Sequence, residues 1–443
     1  MKQSGYNFFF ETEEEGKKKY LAYNSLTNGL ALMEVETVEF IKNIENEDLS
    51  NLRIKEDIFK ELKNGGFIVE DGFDELKLLK LIKNQNVYDT RGFSLTILPT
   101  LDCNLGCKYC FEMRKPIHMD EKVEERLVEF VSENIEAMEC KYFFVSWYGG
   151  EPLLKLDVIE RLTEKFKNLC KERNCIYSAS MVSNGTLITE EVAKRLSEMG
   201  ITDVQVTLDG DPETHNVRRP YLDGRESFED ILNGIKNLAK FKIPISMRVN
   251  IDRTNRDLDL VFLEEYGLME ILQRDENGIH FGFVRPCTST CGCSENECFT
   301  HMEFYEIENR LRRELFEKYN IESRFYPSPV YGCVATTPYG YVVGPRGELY
   351  KCWEDVGKES EEVGNIFNGV RMDKHHLDHL MLELDEECLN CKFLPLCNGG
   401  CPKTQVKRLR GENIPRDCTS YKFNMRRTLE YYYRNVHREE GEE

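Results

Sequence analysis

The stretch Cys103-Asn104-Leu105-Gly106-Cys107-Lys108-Tyr109-Cys110-Phe111-Glu112 decides how the rest of the chain is read. It follows directly on an apolar, strand-like run, Phe93 to Thr100. Three soft thiolates this close together suit an iron–sulfur cluster, whose cubane form has four iron corners. Three protein ligands leave one corner open for another molecule. A zinc site would call for a nearby fourth Cys or His at finger-like spacing. The nearest downstream candidate is His118, whose offset suits no common finger.

Outward from this loop the pattern is strand then helix, repeated. Strands are expected at Phe93–Pro99, Phe143–Trp147, Ile176–Val182, Asp203–Leu208, Ile245–Ile251 and Ile279–Val284. Amphipathic stretches separate them, among them Glu121–Met138, Asp157–Cys170, Glu190–Met199 and Phe228–Lys240. Such alternation argues for a parallel sheet with helices outside it, and six units are too few to close an eight-stranded barrel. In such sheets the chemistry gathers at the carboxyl ends of strands. Polar motifs stand at those ends: Gly149-Gly150-Glu151-Pro152, Ser183-Asn184-Gly185, and Asp209-Gly210 with His215 and Arg219 following.

The spacing Cys-x3-Cys-x2-Cys, with an aromatic residue before the third cysteine, resembles the signature of the radical S-adenosylmethionine (SAM) superfamily. The resemblance implies an α/β fold, an open (β/α)6 partial barrel over residues 90–300. It also implies reductive cleavage of SAM to a 5′-deoxyadenosyl radical at a [4Fe-4S] cluster on Cys103, Cys107 and Cys110. By the same resemblance Gly149, Gly150 and Glu151 would meet the SAM amino group, and Ser183 and Asn184 its ribose. Arg219 would meet its carboxylate, with Arg248 and Asn250 as weaker candidates for the same ligand. Asp209 and His215 are read as fixing their loop, and no general base is assigned.

Residues 325–425 carry Cys333, Cys352, Cys388, Cys391, Cys397, Cys401 and Cys418, one thiol short of what two cubanes require. Gly347 marks a turn between two short strands. The order and spacing resemble the SPASM domain, which implies an outer auxiliary cluster on Cys388, Cys391, Cys397 and Cys418. An inner one would use Cys333, Cys352 and Cys401, which makes three [4Fe-4S] clusters in all. Cys287, Cys291, Cys293 and Cys298 form a further group with no assigned role, open to supplying the missing ligand. Cys140, Cys170 and Cys175 are expected to pack in the core.

Residues 1–85 read as a separate small unit. Runs Asn7–Phe10 and Tyr20–Tyr23 are strand-like and joined by a charged loop, and Asn28-Gly29 is a turn before Leu30–Met33. Helices are expected near Val35–Asn43 and Lys55–Leu62, then a strand Phe67–Val69. This order resembles the winged-helix-like element that recognises leader sequences of precursor peptides. Residues 424–443 form a basic, aromatic packing helix and an acidic tail.

The chain has 443 residues, 40% of them hydrophobic, and a formal charge of −20. That charge excludes a nucleic-acid backbone as partner. No apolar run reaches the ~20 residues of a membrane span, no signal peptide is evident, and a cytoplasmic protein is expected. In that compartment seventeen cysteines are read as metal ligands or reactive groups rather than disulfides. These features together predict a radical SAM peptide maturase. It would abstract hydrogen from a ribosomally made precursor peptide and form an intramolecular crosslink, a Cys thioether to carbon. Flavodoxin or ferredoxin would serve as electron donor. The alternatives are an anaerobic sulfatase-maturating enzyme and a carbon–carbon crosslinking maturase. Against the sulfatase reading, the position of that family's aspartate base is taken by Trp353, followed by Glu354 and Asp355.

Overall fold

The computed structural model describes residues 1–46, 54–284, 298–321, 326–330 and 332–439. They form two compact units. One comprises Met1–Tyr88, Arg324–Cys333 and Leu382–Glu443, the other Asp89–Ser323 and Val334–Met381. The units are thus discontinuous in sequence, whereas the expected division followed chain order.

The second unit is built on six parallel strands in sequential order: Gly92–Ile97, Tyr142–Trp147, Ile176–Ser183, Ile201–Thr207, Ile245–Ile251 and Gly278–Phe283. Helices Glu121–Met138, Leu156–Glu172, Glu190–Glu198 and Phe228–Lys240 join them. Local chemistry explains the boundaries. Asp120 caps the first helix by accepting from Val123 N, and Glu139 ends it in the left-handed region at φ 51°. Alternation along each strand sends Phe93, Leu95, Ile97, Phe143, Val145, Trp147, Met247 and Val249 into the helix-facing core. Cys140, Cys170 and Cys175 are buried in that core.

The sheet stays open. Beside its first strand, Gly340–Val343 pairs in parallel, and Glu348–Tyr350, Gly364–Asn365 and Gly369–Val370 continue antiparallel to a ten-stranded order. Gly347 makes the expected turn at φ +82°, where an added Cβ would lie 2.7 Å from Ile366. A strand pairing across more than two hundred residues was not foreseen.

In the first unit, Asn7–Glu14, Lys17–Asn24 and Gly29–Glu34 form a three-stranded antiparallel sheet. The expected charged loop is instead the end of a hairpin. Glu13 stands opposite Lys18 and Glu14 opposite Lys17, so complementary charges support pairing rather than break it. One sheet face packs Ala22 and Met33 on helices Val35–Asn43 and Glu56–Asn64, through Val38, Ile41 and Leu62. The other packs Leu21 and Tyr23 against Leu396 and against Met425 and Leu429 of the C-terminal helix Tyr421–Glu439. Helix Glu75–Val87, capped by Asp74, completes the N-terminal part and had no counterpart in the expectation. Of the cysteine group at 287–298, the first three lie outside the described residues, while Cys298 is buried.

Candidate functional site

Three strand-end loops grip the loop that carries Cys103, Cys107 and Cys110. From the second strand, Glu151 N donates to Asp102 O at 2.9 Å. Glycine is required on both sides of that contact. A Cβ at Gly150 would sit 2.3 Å from Asp102 O, and one at Gly149 (φ +124°) 2.4 Å from Thr100 O. From the third strand, Asn184 Nδ2 donates to Asn104 Oδ1 at 2.8 Å and to Cys103 Sγ at 3.8 Å. From the fourth, Gly106 N donates to Pro220 O at 2.8 Å and Lys108 N to Arg218 O at 3.0 Å.

Glu151 is fully buried. It accepts from Ser183 Oγ (2.9 Å), Leu153 N (3.0 Å) and Asn184 N (2.7 Å), so it braces two strand ends together. Burial nonetheless pushes it up to about 7. Glu112, beside Tyr148, is pushed to about 8, again mainly by burial. Sequence reasoning missed Glu112, since nothing local to it signals burial.

Arg218 and Arg219 are adjacent in sequence and differ completely in surroundings. Arg218 pairs with Asp252 (2.7 Å) and Asp209 (3.2 Å) and donates to the Asn250 carbonyl, a saturated structural role. Arg219 donates to the Tyr109 hydroxyl at 2.8 Å, and its buried Nε has no hydrogen-bond partner. Tyr109 also accepts from Asn250 Nδ2 (3.0 Å) and donates to Asp209 Oδ2 (2.5 Å), which makes it the hub of the site. Burial opposes ionisation of Asp209, but Arg218 and Arg219 hold it below the ordinary carboxylate range. His215 accepts from Asp209 N and its Nε2 meets Ser227 Oγ, whose hydroxyl donates to Arg219 O. Burial and Arg219 depress it to about 3, so it is a neutral strut.

The donor set fits a cluster with one open corner and an anionic ligand beside it. Burial pushes the Cys103 thiol up to about 12, and Cys107 is also raised by burial, with Arg219 opposing. Such thiols ionise only with a metal's charge at hand. Among the described residues, no three His, Cys, Asp or Glu side chains converge as ligands of a single ion would. The orphaned Arg219 Nε, close enough to Cys107 to feel its charge, suits a carboxylate held next to that corner.

In the first unit, Cys388, Cys391, Cys397 and Cys418 line one cavity of about 250 Å³, with Arg416 and Lys422 at its wall. Left-handed Asn398, Gly399 and Gly400 turn the chain sharply after Cys397. A Cβ at Gly400 would lie 2.0 Å from Asp417 O, so glycine lets the Cys397 loop meet the Cys418 segment. Lys422 Nζ donates to Cys418 Sγ at 3.8 Å. Cys333 and Cys401 belong to this unit, and Cys352 to the other. In the second unit Trp353 stacks on Tyr148 at 5.3 Å, Glu354 lines a small cavity with Phe111 and Glu112, and Asp355 is buried.

The pattern of the radical SAM superfamily matches residues 97–261. A cysteine-type anaerobic sulfatase-maturating enzyme of Clostridium perfringens is 26% identical over 74% of this chain and 94% of its own length. Fe-coproporphyrin III synthase of Methanosarcina barkeri is 30% identical over 68% of this chain and 80% of its own. The crystal structure of Streptococcus suis SuiB bound to the precursor peptide SuiA covers 95% of this chain and 99% of that one, at 13% identity and a TM-score of 0.55. The superfamily pattern falls on the thiol loop and the strand ends that grip it, and the chain belongs to the radical SAM superfamily of enzymes.

Proposed function

We propose that this enzyme is a peptide maturase that joins a cysteine sulfur to a carbon of the same ribosomally made precursor peptide. One observation carries the peptide part of this reading. The SuiB likeness extends over 95% of the chain, so it takes in most of the first 88 residues, and SuiB was captured with a precursor peptide. Strand Gly29–Glu34 has one partner strand among the described residues, so its outer edge offers main-chain groups to an added strand, whereas on the Asn7–Glu14 edge Lys392 Nζ and Arg426 Nη2 already donate to the Asn7 and Glu11 carbonyls. A leader sequence would bind at the Gly29–Glu34 edge.

Membership of the superfamily brings SAM and one [4Fe-4S] cluster. When bound, this pair supplies a 5′-deoxyadenosyl radical able to take hydrogen from an unactivated carbon. Cys103, Cys107 and Cys110 hold the cluster. The edge of Gly149 and Gly150, fixed in place by Glu151, receives the SAM ammonium group. Ser183 and Asn184 frame the ribose, and Arg219 holds the carboxylate from its Tyr109 anchor. Cys388, Cys391, Cys397 and Cys418 hold an outer auxiliary cluster. A third cluster on Cys333, Cys352 and Cys401 rests on their spacing alone. A flavodoxin or ferredoxin supplies electrons.

The test is co-expression with cysteine-containing precursor peptides encoded beside the enzyme, followed by mass measurement. A thioether keeps the sulfur and loses two hydrogen atoms per crosslink; an unchanged mass refutes bond formation. Similarity to sulfatase-maturating enzymes favours a second reading, oxidation of a cysteine to formylglycine. That product loses its sulfur, so the same measurement separates the two. Stacking of Trp353 on Tyr148, where that family places a carboxylate, favours the first.

A further inference from the structure

The inner face of the open sheet differs in kind from its helix-facing side. Register places Thr96, Ser146 and Ser180 side by side, then Gln205 beside Ser246, then Thr207, Arg248 and His280. Their neighbours along each strand point into the helix-packed core, so these side chains all face inward, and most remain partly accessible. Parallel barrels usually fill this face with branched apolar side chains. Here it is a polar surface carrying one guanidinium.

Arg248 is held flat by its own environment. Its Nε donates to Asn250 Oδ1 at 2.7 Å, and Asn250 leads on to Tyr109. A Cβ at Gly282 would lie 2.6 Å from both Arg248 Nε and Nη2, so only glycine on the neighbouring strand admits the side chain in this position. The neighbouring His280 is depressed to about 4 by burial and then by Arg248 itself, so it stays neutral and adds no charge beside the guanidinium. Asp203, the carboxylate on the inner face of the fourth strand, makes no ion pair with it. Among the described residues, the two terminal nitrogens of Arg248 have no hydrogen-bond partner and no acidic neighbour in ion-pair range.

SAM brings one carboxylate to this cleft, and the orphaned Arg219 beside Cys107 is placed to take it. Arg248 is a second guanidinium, one strand further along the sheet, without an anion of its own. We propose that Arg248 is a specificity-determining residue that binds a carboxylate of the peptide substrate, borne by an Asp or Glu side chain or by a free C-terminus. This rests on the maturase reading for the ligand being a peptide, and replaces the expectation that Arg248 serves SAM.

The probes are short N-acetylated peptides that differ at one position, Asp against Asn and Glu against Gln, each with an amidated or a free C-terminus. Succinate is a peptide-free control. Binding is measured by calorimetry on the reconstituted enzyme saturated with SAM. A bidentate carboxylate contact should favour the acidic peptides by on the order of tenfold. Arg248→Met should bring that ratio to about one, and Arg248→Lys, which keeps the charge without the fork, should retain part of it. Preference for Asp or Glu with an amidated end identifies a side-chain carboxylate; preference only with a free end identifies the C-terminus. A wild-type ratio near one overturns the proposal, as does a ratio that survives in Arg248→Met. Loss of SAM affinity in Arg248→Met as steep as the loss of peptide affinity also overturns it, by returning the residue to the SAM site. If succinate binds in an Arg248-dependent way and no peptide does, the anion site stands and the maturase reading falls.

Discussion

Replacing Tyr109 with Phe removes one oxygen and three hydrogen bonds. The hydroxyl donates to Asp209 at 2.5 Å and accepts from Arg219 at 2.8 Å and Asn250 at 3.0 Å. Two of these partners are charged, and hydrogen bonds to charged groups contribute about 1.5–3 kcal/mol each. Asp209 keeps Arg218 and the Asn250 main-chain N–H, so its loss is cushioned. Arg219 has no such reserve, because Nε is already without a partner and Nη1 loses its own. A net destabilisation of about 3 kcal/mol follows, which lowers the melting midpoint by roughly 5 °C for a unit of this size. The freed guanidinium must then be ordered by its ligand, and SAM affinity should fall about tenfold, or ~1.4 kcal/mol. Thermal melting and SAM titration of protein with matched iron content would measure both. An unchanged midpoint refutes the energetic argument. A lowered midpoint with unchanged SAM affinity refutes the link between the Tyr109 anchor and ligand binding at Arg219.

Gly150→Ala places a methyl group 2.3 Å from Asp102 O, so the thiol loop must move or the strand end must give. The variant should assemble less of the first cluster and lose about 10²-fold or more in SAM cleavage, read by iron content and 5′-deoxyadenosine yield. His215 sits well below its unfolded value of about 6.5, at about 3. The unfolded chain therefore binds the extra proton in that window, and stability present above pH ~6.5 is lost as pH falls toward ~3. Chemical denaturation at pH 6.5 and 5.5 should show a decline that is smaller in His215→Gln. Lys422→Met removes an ammonium that donates to Cys418 Sγ, so the outer cluster should become harder to reduce. A redox titration followed by EPR should find its midpoint more negative; no change would detach Lys422 from that group.

Much of this molecule is legible one segment at a time. The helix Glu121–Met138 and the strand Ile245–Ile251 fall where periodicity places them, because burial of one face writes itself into residue spacing. The cavity lined by Cys388, Cys391, Cys397 and Cys418 gathers thiols that stand close in sequence, and glycine turns fold their loop. By contrast, the hairpin at Glu11–Lys19 was misread as a loop. Like charges crowd along each of its strands, and only the register, which sets Glu opposite Lys, turns that charge into pairing. The helix Glu75–Val87 was missed because its apolar residues form no clear stripe.

By itself the sequence determined that three thiols follow the end of a strand, and that strand–helix units follow in series. Tertiary structure alone decided what neighbouring residues do. Arg218 and Arg219 are adjacent, yet one is consumed by two carboxylates and the other keeps a buried nitrogen free. Strand register decided that Arg248, Thr207 and His280 share one polar face, and a return of the chain after more than two hundred residues set Gly340–Val343 in parallel beside Gly92–Ile97. Spacing is a local property that folding preserves. Which partner a side chain meets depends on contacts between distant segments, and these exist only once the sheet has formed.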